Sequence, residues 1–391
     1  MSLVLVFAGT LLAAVLLSGL AERTVLSTAV LFLLVGFLAG GGVFDVLVLR
    51  PENPLVVRLA ELALFGVLFT DGMRLGARDL ASAWRLPGRA LLLGLPLTLL
   101  VTALLAHFVA GLPWVASFLV GAVLSPTDPV FASALVGREE VPHRLRHLLN
   151  VESGINDGLA LPVVVILLAF ASRSEVGWGT ILGELALGVA IGVVVPYVAL
   201  RLERTRFFDL AESYEPLYAF AVGLLVLALA SVTHANLFLA AFSAGVTTVS
   251  VSPRFKEAFH EFGELLTELL KLAAILVFGA LISPSFLGEI SVGGYAFALL
   301  ALVAARPLAL LLSFLGSSID RREWAAAAWF GPKGFASVVY GLLVLESGVA
   351  LSDEMFHLVA AVVVASILLH SSTDVIVARR FREAADLEAR R

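Results

Sequence analysis

The chain has 391 residues, 60% hydrophobic and 15% charged, with a formal net charge of −5 and no cysteine. A soluble domain is about 45–50% apolar and about 25% charged, so this composition, with a mean hydropathy of +1.00, excludes an ordinary soluble protein and describes a polytopic membrane protein. The small negative charge gives no reason to expect nucleic acid as a partner, and the missing cysteines exclude disulfides and thiolate metal sites.

The first residues, MSLVLVFAGTLLAAVLLSGLAER, lack the basic stretch of a signal peptide and read as a first span. A helix needs ~20 mostly apolar residues to cross the hydrocarbon core. On that rule the sequence predicts thirteen segments, over roughly 3–20, 25–42, 55–71, 89–110, 113–136, 145–170, 179–200, 214–232, 236–250, 262–282, 293–315, 324–345 and 355–376. The second and ninth are short and contain glycine.

Charge divides between alternate connections. One set carries Arg23; Arg74, Arg78, Arg85 and Arg89; Arg138, Arg144 and Arg146; Arg201, Arg204 and Arg206; Arg254 and Lys256; Arg321 and Arg322; and Arg379, Arg380, Arg382, Arg390 and Arg391. The other carries only Arg50 and Arg173. By the positive-inside rule the basic set is cytoplasmic, which puts the N-terminus outside and the C-terminus inside a cell (inner or plasma) membrane. The tail over 379–391 is short and mixed in charge and reads as a helix end, with no soluble domain expected. Arg58, Lys271, Arg306 and Lys333 remain within or at the edges of spans. An intramembrane ionisable group is a functional candidate by default.

Two spans are interrupted. The fifth contains Ser125-Pro126-Thr127-Asp128-Pro129, and the twelfth contains Gly331-Pro332-Lys333-Gly334. Proline removes a backbone donor and clashes with the preceding turn, and unpaired backbone at that depth is tolerated only against protein or a water-filled cavity. The two segments lie an odd number of spans apart, so they run in opposite directions. Broken helices at corresponding places in oppositely oriented halves point to an inverted-repeat secondary transporter with a site near the midplane. Asp128 suits the positive N-terminal end of a half-helix and Lys333 the negative C-terminal end. Ordinary proline kinks are the plainer alternative.

The sixth segment carries Asn150, Glu152, Ser153, Asn156 and Asp157 within an otherwise apolar run. A carboxylate at a helix centre costs about 2.5–3.5 kcal/mol on insertion scales, so two of them need a reason. At roughly 100° per residue, Ser153, Asn156 and Asp157 share a face, with Glu152 at its edge. The short loop over 137–143, with Arg138, Glu139 and Glu140, makes segments five and six neighbours. Asp157, Ser153 and the carbonyls around Thr127 then converge on an all-oxygen pocket. Such a pocket suits a hard cation such as Na⁺ or K⁺ and not a soft transition metal.

These stretches carry a resemblance. Ser125-Pro126-Thr127-Asp128-Pro129, Glu152-Ser153-Gly154-Ile155-Asn156-Asp157-Gly158 and Gly331-Pro332-Lys333-Gly334 are similar to motifs of the monovalent cation–proton antiporter superfamily, in its NhaP-like sodium/proton exchanger branch. Leu68-Phe69-Thr70-Asp71-Gly72 and Arg306-Pro307 also fit. The resemblance covers almost the whole chain. It implies an all-α fold of thirteen transmembrane helices, with inverted repeats and two crossed broken helices, as in NhaA-like antiporters. It implies a core ion-transport domain over 88–170 and 291–378, a dimerisation panel over 1–75 and 210–290, a linking helix over 178–202 and a short cytoplasmic tail over 379–391.

The resemblance further implies cation and proton ligands at Asp157, Ser153 and the backbone of Thr127, with Asp71 lining the route. Asp157, Ser153 and Thr127 are the expected monovalent-cation set; no other metal and no cofactor is expected. The Asn156-Asp157 pair implies electroneutral exchange of one cation for one proton, and the panel of the resemblance implies a homodimer in the bilayer. Glu152 is expected to pair with a basic group. The family has arginine where this chain has Lys333, and lysine keeps the charge but loses the bidentate fork, so either Lys333 or Arg306 is the candidate partner.

Asp157 is then a site shared by proton and cation, and the core moves only when one of them neutralises it, because a bare carboxylate resists crossing an apolar barrier. Asn156 is expected to support the broken helices through its amide. Asp71 has a competing role as a surface ion pair with Arg74, and Asp128 as a helix-end charge. Glu61, Glu184, Glu264, Glu268 and Lys271 carry no assigned chemistry; Glu264 with Glu268 at i, i+4 and Glu268 with Lys271 at i, i+3 fit a helix-face salt bridge, and the same groups equally fit the lining of a funnel towards the site. The alternative function is a symporter or uptake carrier for a small organic anion on a related crossed-helix fold. It would need basic groups at the site and no lone essential aspartate. An intramembrane aspartyl enzyme would need a second facing aspartate, and a channel a repeated filter; the sequence offers neither, so no enzyme activity is expected.

Overall fold

The computed structural model describes residues 2–21, 27–41, 43–50, 53–74, 86–128, 141–172, 178–205 and 210–389. Among them the regular structure is helical, and the only β pairing is an isolated bridge between Gly40 and Leu47. The helices are α1 (Ser2–Ala21), α2 (Thr28–Ala39), α3 (Pro54–Arg74), α4 (Leu86–Phe108), α5 (Trp114–Val123), α6 (His143–Ala171), α7 (Trp178–Glu203), α8 (Glu215–Val232), α9 (Leu237–Val251), α10 (Arg254–Leu281), α11 (Pro284–Glu289), α12 (Val292–Ser313), α13 (Arg321–Trp329), α14 (Phe335–Glu346) and α15 (Ser352–Ala389). Among the described residues six helices have the length and composition to cross a membrane, including α4, α6, α7, α12 and the first part of α15. Others, such as α2, α5, α9 and α14, are apolar but shorter.

Helix starts follow local chemistry. Ser27, Asn236, Ser283 and Ser291 each cap a helix by accepting a backbone N–H with the side-chain oxygen. Asp320 and Glu323 form a capping box at the start of α13. The tenth helix begins at Arg254, earlier than the predicted 262, because its first turns are amphipathic and charged and so do not register as apolar span. α15 runs on to Ala389, so the predicted tail continues the last helix.

α4 and α12 share an irregularity. Each contains a π turn, over Ala90–Gly94 and Ala301–Ala305. Each turn is followed at the same offset by a proline, Pro96 and Pro307. Proline withholds the N–H that would bond four residues back, and a wider turn accommodates the loss. In the sequence these helices are the fourth and eleventh spans.

Packing falls into two groups. α3 and α10 pack against each other, and α3 also packs against α9; α10 also packs on α2, and α7 lies against α9. α4 packs on α5, α5 on α6, and α12 on α4, α13 and α15. Gly72 and Gly245 bring α3 and α9 to backbone contact: a Cβ at Gly72 would reach 2.5 Å from the Phe242 carbonyl oxygen. The two groups meet where α3 and α9 touch α6, and where α14 touches α3 and α10.

Candidate functional site

Helical structure stops at both predicted breaks. α5 ends at Val123 and residues 124–128 are non-helical; α13 ends at Trp329 and α14 begins at Phe335. Pro129 and the loop residues Arg138, Glu139 and Glu140 lie outside the described residues. The breaks touch, since the Asp128 N–H donates to the Pro332 carbonyl at 2.9 Å. Ser337 on α14 donates to the Val123 carbonyl at the end of α5 at 2.8 Å.

Each break supplies the charge that the other lacks. Gly334, at the start of α14, has no side chain to cap it. Asp128 does so from the other break, its Oδ2 accepting the Phe335 N–H at 3.2 Å. Lys333 reaches back, its Nζ lying 3.4 Å and 3.3 Å from the carbonyl oxygens of Ser125 and Pro126, past the C-terminal end of α5. A carboxylate thus meets a helix N-terminus and an ammonium a helix C-terminal segment, the signs favoured by the helix dipole. Lys333 is further held by its own N–H, which donates to Ser366 Oγ on α15 at 2.6 Å.

α6 presents its polar face to the first break. Thr127 Oγ1 sits 3.2 Å from Ser153 Oγ and accepts from Asn156 Nδ2 at 2.7 Å. Asn156 Oδ1 and Asp157 Oδ1 have no hydrogen-bond partner, although both atoms are buried. Asp157 is 6% exposed, and its backbone carbonyl accepts from the Tyr340 hydroxyl on α14 at 2.7 Å. One turn of α6 is therefore tied to both breaks. Burying such oxygens without partners costs free energy.

Glu152 pairs with Arg306. The guanidinium donates to both carboxylate oxygens, at 2.5 Å and 2.9 Å, and its Nε donates to the Ala327 carbonyl near the end of α13 at 2.9 Å. Of the two candidate partners the structure selects the one with the fork, and Lys333 is spent on the first break. Gly331 is needed here, because a Cβ would collide with the Arg306 side chain.

Asp71, on α3, is 6% exposed and lies 3.4 Å from Arg74 Nη1. Arg74 also pairs with Glu264 on α10 at 2.9 Å. Asp71 is thus both buried and ion-paired. The charges of Asp71, Asp128 and Asp157 act on one another and on Lys271.

Sequence reasoning names Lys271 as an intramembrane candidate without a role, and it passes over Tyr340. Lys271 was matched to Glu268 by spacing alone; instead its ion-pair partner is Asp128, at 3.5 Å. Its position as a lone lysine in a span was the available signal. Nothing in the spacing of Tyr340 pointed to Asp157.

The profile of the family described as "Sodium/hydrogen exchanger, transmembrane" matches residues 10–379. The K(+)/H(+) antiporter NhaP2 of Shewanella baltica (strain OS223) is 26% identical over 381 residues, covering 93% of this chain and 64% of that protein. The K(+)/H(+) antiporter NhaP of Alkalimonas amylolytica is 28% identical over 349 residues, 86% of this chain and 59% of that one. The chain spans less than two thirds of the length of each of these relatives. The sodium proton antiporter MjNhaP1 of Methanocaldococcus jannaschii, solved at pH 8, superposes with a TM-score of 0.78 at 20% identity, over 97% of this chain and 99% of that one. That likeness establishes the fold: an all-helical, multi-pass membrane protein. With the family profile spanning nearly the whole sequence, this chain belongs to the transmembrane sodium/hydrogen exchanger family.

Proposed function

We propose that the chain exchanges a monovalent cation, Na⁺ or K⁺, for H⁺ across the membrane by alternating access. The observation that carries this reading is the Asp157 carboxylate. It is buried, one oxygen lacks a hydrogen-bond partner, and it lies one residue from the Asn156–Thr127–Ser153 hydrogen bonds beside a broken helix. Asp157 binds either ion, and Ser153 and Thr127 complete an oxygen ligand set suited to a hard cation. Asp71 lines the route. The relatives' names, K(+)/H(+) antiporter in two cases, favour the same class of activity.

One carboxylate cycling between a proton and a monovalent cation moves no net charge, so exchange is electroneutral, one for one. Glu152 and Arg306 form a fixed pair that holds the bundle, Asn156 positions Thr127, and Asp128 and Lys333 offset the ends of the broken helices. The fold comprises thirteen spans with the two broken helices crossed. The core (88–170 and 291–378) moves against a panel (1–75 and 210–290), with 178–202 linking them, in a homodimer of an inner or plasma membrane, N-terminus outside and C-terminus cytoplasmic. The matched π turns of α4 and α12, an odd number of spans apart, support the inverted repeat.

Proteoliposomes holding a pH gradient and a trapped pH dye test the reading. Addition of Na⁺, Li⁺ or K⁺ should dissipate the gradient, and no response to any of the three overturns it.

A further inference from the structure

Lys271 has no role in the mechanism above, yet it is placed among the site's carboxylates. It lies on α10, its side chain is 10% exposed, and its ammonium is 3.5 Å from Asp128 Oδ1. The charged groups that act on it come from several elements. Asp71 and Arg74 lie on α3, Asp157 on α6 and Asp128 at the first break, while Glu268 lies on its own helix. α2, which also packs on α10, bears no charged residue over its span Thr28–Ala39.

An ammonium on a flexible stem carries the charge of the transported ion. In a protein interior, a unit charge several ångströms away changes the affinity of a neighbouring site for an ion by about an order of magnitude or more. We propose that Lys271 is a tethered counter-cation: held on Asp128, next in the chain to Thr127 of the site, it opposes the transported cation and sets the affinity of the site. The carboxylate cluster can then stay charged in the apolar surroundings without trapping the ion it must release. In the proposed division α10 belongs to the panel and Asp128 to the core, so the opposing charge is greatest in the arrangement that brings them together. The identity of the opposed ion rests on the antiport reading.

Calorimetric titration of NaCl, and separately KCl, into the purified full chain at alkaline pH, with choline chloride holding ionic strength, tests this. Lys271→Met should bind the cation about tenfold more tightly than the parent, and Lys271→Arg should match the parent. In the Asp128→Asn background, where the substitution strips no partner from a buried carboxylate, Lys271→Met should again tighten binding about tenfold. Equal or weaker binding in both backgrounds overturns the proposal. So does loss of cooperative melting in both, which would assign Lys271 to holding α10 against the first break. The antiport reading fails separately: a parent chain that binds Na⁺ or K⁺ but exchanges neither in liposomes sinks that reading and leaves the comparison at Lys271 standing.

Discussion

Arg306 holds Glu152 with both terminal guanidinium nitrogens, at 2.5 Å and 2.9 Å, while both residues are 4% exposed. Breaking a buried pair from one side leaves a lone charge and costs about 3–5 kcal/mol, whereas replacing both partners with apolar groups is often neutral. Glu152→Ala and Arg306→Ala should each lower the unfolding temperature sharply in detergent, and Glu152→Leu/Arg306→Met should recover most of the loss. Arg306→Lys should fall between, because lysine cannot hold two oxygens and the Ala327 carbonyl at once. Thermal melts of the four variants check the order; a double variant no better than the singles would contradict it.

Asp157→Asn keeps the shape of the side chain and removes its charge. The Tyr340 hydrogen bond goes to the backbone carbonyl of Asp157 and survives the change, so the fold should be retained. Exchange should drop to the rate of empty liposomes, a loss of at least a hundredfold. Retained exchange at the parent rate would remove Asp157 from the site.

Ser153 and Thr127 are predicted to bind the cation without entering the proton chemistry. Loss of one neutral ligand removes about 1 kcal/mol of binding, a several-fold effect. Ser153→Ala should raise the cation KM several-fold and leave the maximal rate near the parent value, as expected when binding alone is weakened. Thr127→Val keeps the backbone oxygen that is the expected ligand and should act in the same direction by freeing it from the hold of the hydroxyl's bonds to Ser153 and Asn156. Asn156→Ala should act in the same direction through Thr127, whose hydroxyl it positions at 2.7 Å. An unchanged KM in all three would place the cation elsewhere.

Much of this site was legible because membrane burial makes polar residues conspicuous. Two prolines flanking Thr127-Asp128 and a Gly-Pro-Lys-Gly run in apolar spans pointed to breaks over ordinary kinks; among the described residues one helix ends before the first run and the second run separates two helices. The face of α6 that carries Ser153 and Asn156 followed from helical periodicity alone. What periodicity does not encode is which distant side chain fills a given gap. The choice of Arg306 over Lys333 for Glu152 depends on three acceptors converging around one guanidinium. The pairing of Lys271 with Asp128 depends on how two helix groups meet, and nearest-neighbour spacing on α10 pointed to Glu268 instead. The predicted span starts late where α10 opens with charged amphipathic turns, while the tail, read as a helix end, does continue α15.

The reciprocal charges at the breaks set a further expectation. Asp128 accepts the Phe335 N–H in place of a cap that Gly334 does not supply, and a lost cap costs about 1 kcal/mol. Asp128→Ala should therefore lower thermal stability even in the absence of any cation. Gly331→Ala should do so more strongly, since its methyl group would push Arg306 off Glu152. If Gly331→Ala melts with the parent, the close approach of Arg306 to this backbone is not a constraint.

Competition for one carboxylate fixes how exchange depends on pH. If proton and cation exclude each other at Asp157, the apparent cation KM is the intrinsic constant multiplied by one plus the ratio of proton concentration to its own dissociation constant. On the acid side of that constant the KM should rise about tenfold for each unit fall in pH, since each unit is a tenfold change in proton concentration. On the alkaline side it should level off. The maximal rate at saturating cation should not fall with the KM, because enough cation displaces the proton. With one charge carried each way, imposing a potassium diffusion potential on Na⁺-driven exchange should not change its rate, although a unit charge moved against 100 mV would be worth about 2.3 kcal/mol. KM measured across pH in proteoliposomes, with and without the potential, checks both. A KM independent of pH would mean separate sites for the two ions, and a rate that follows the potential would mean a second titrating group, for which the buried carboxylate of Asp71 is a candidate.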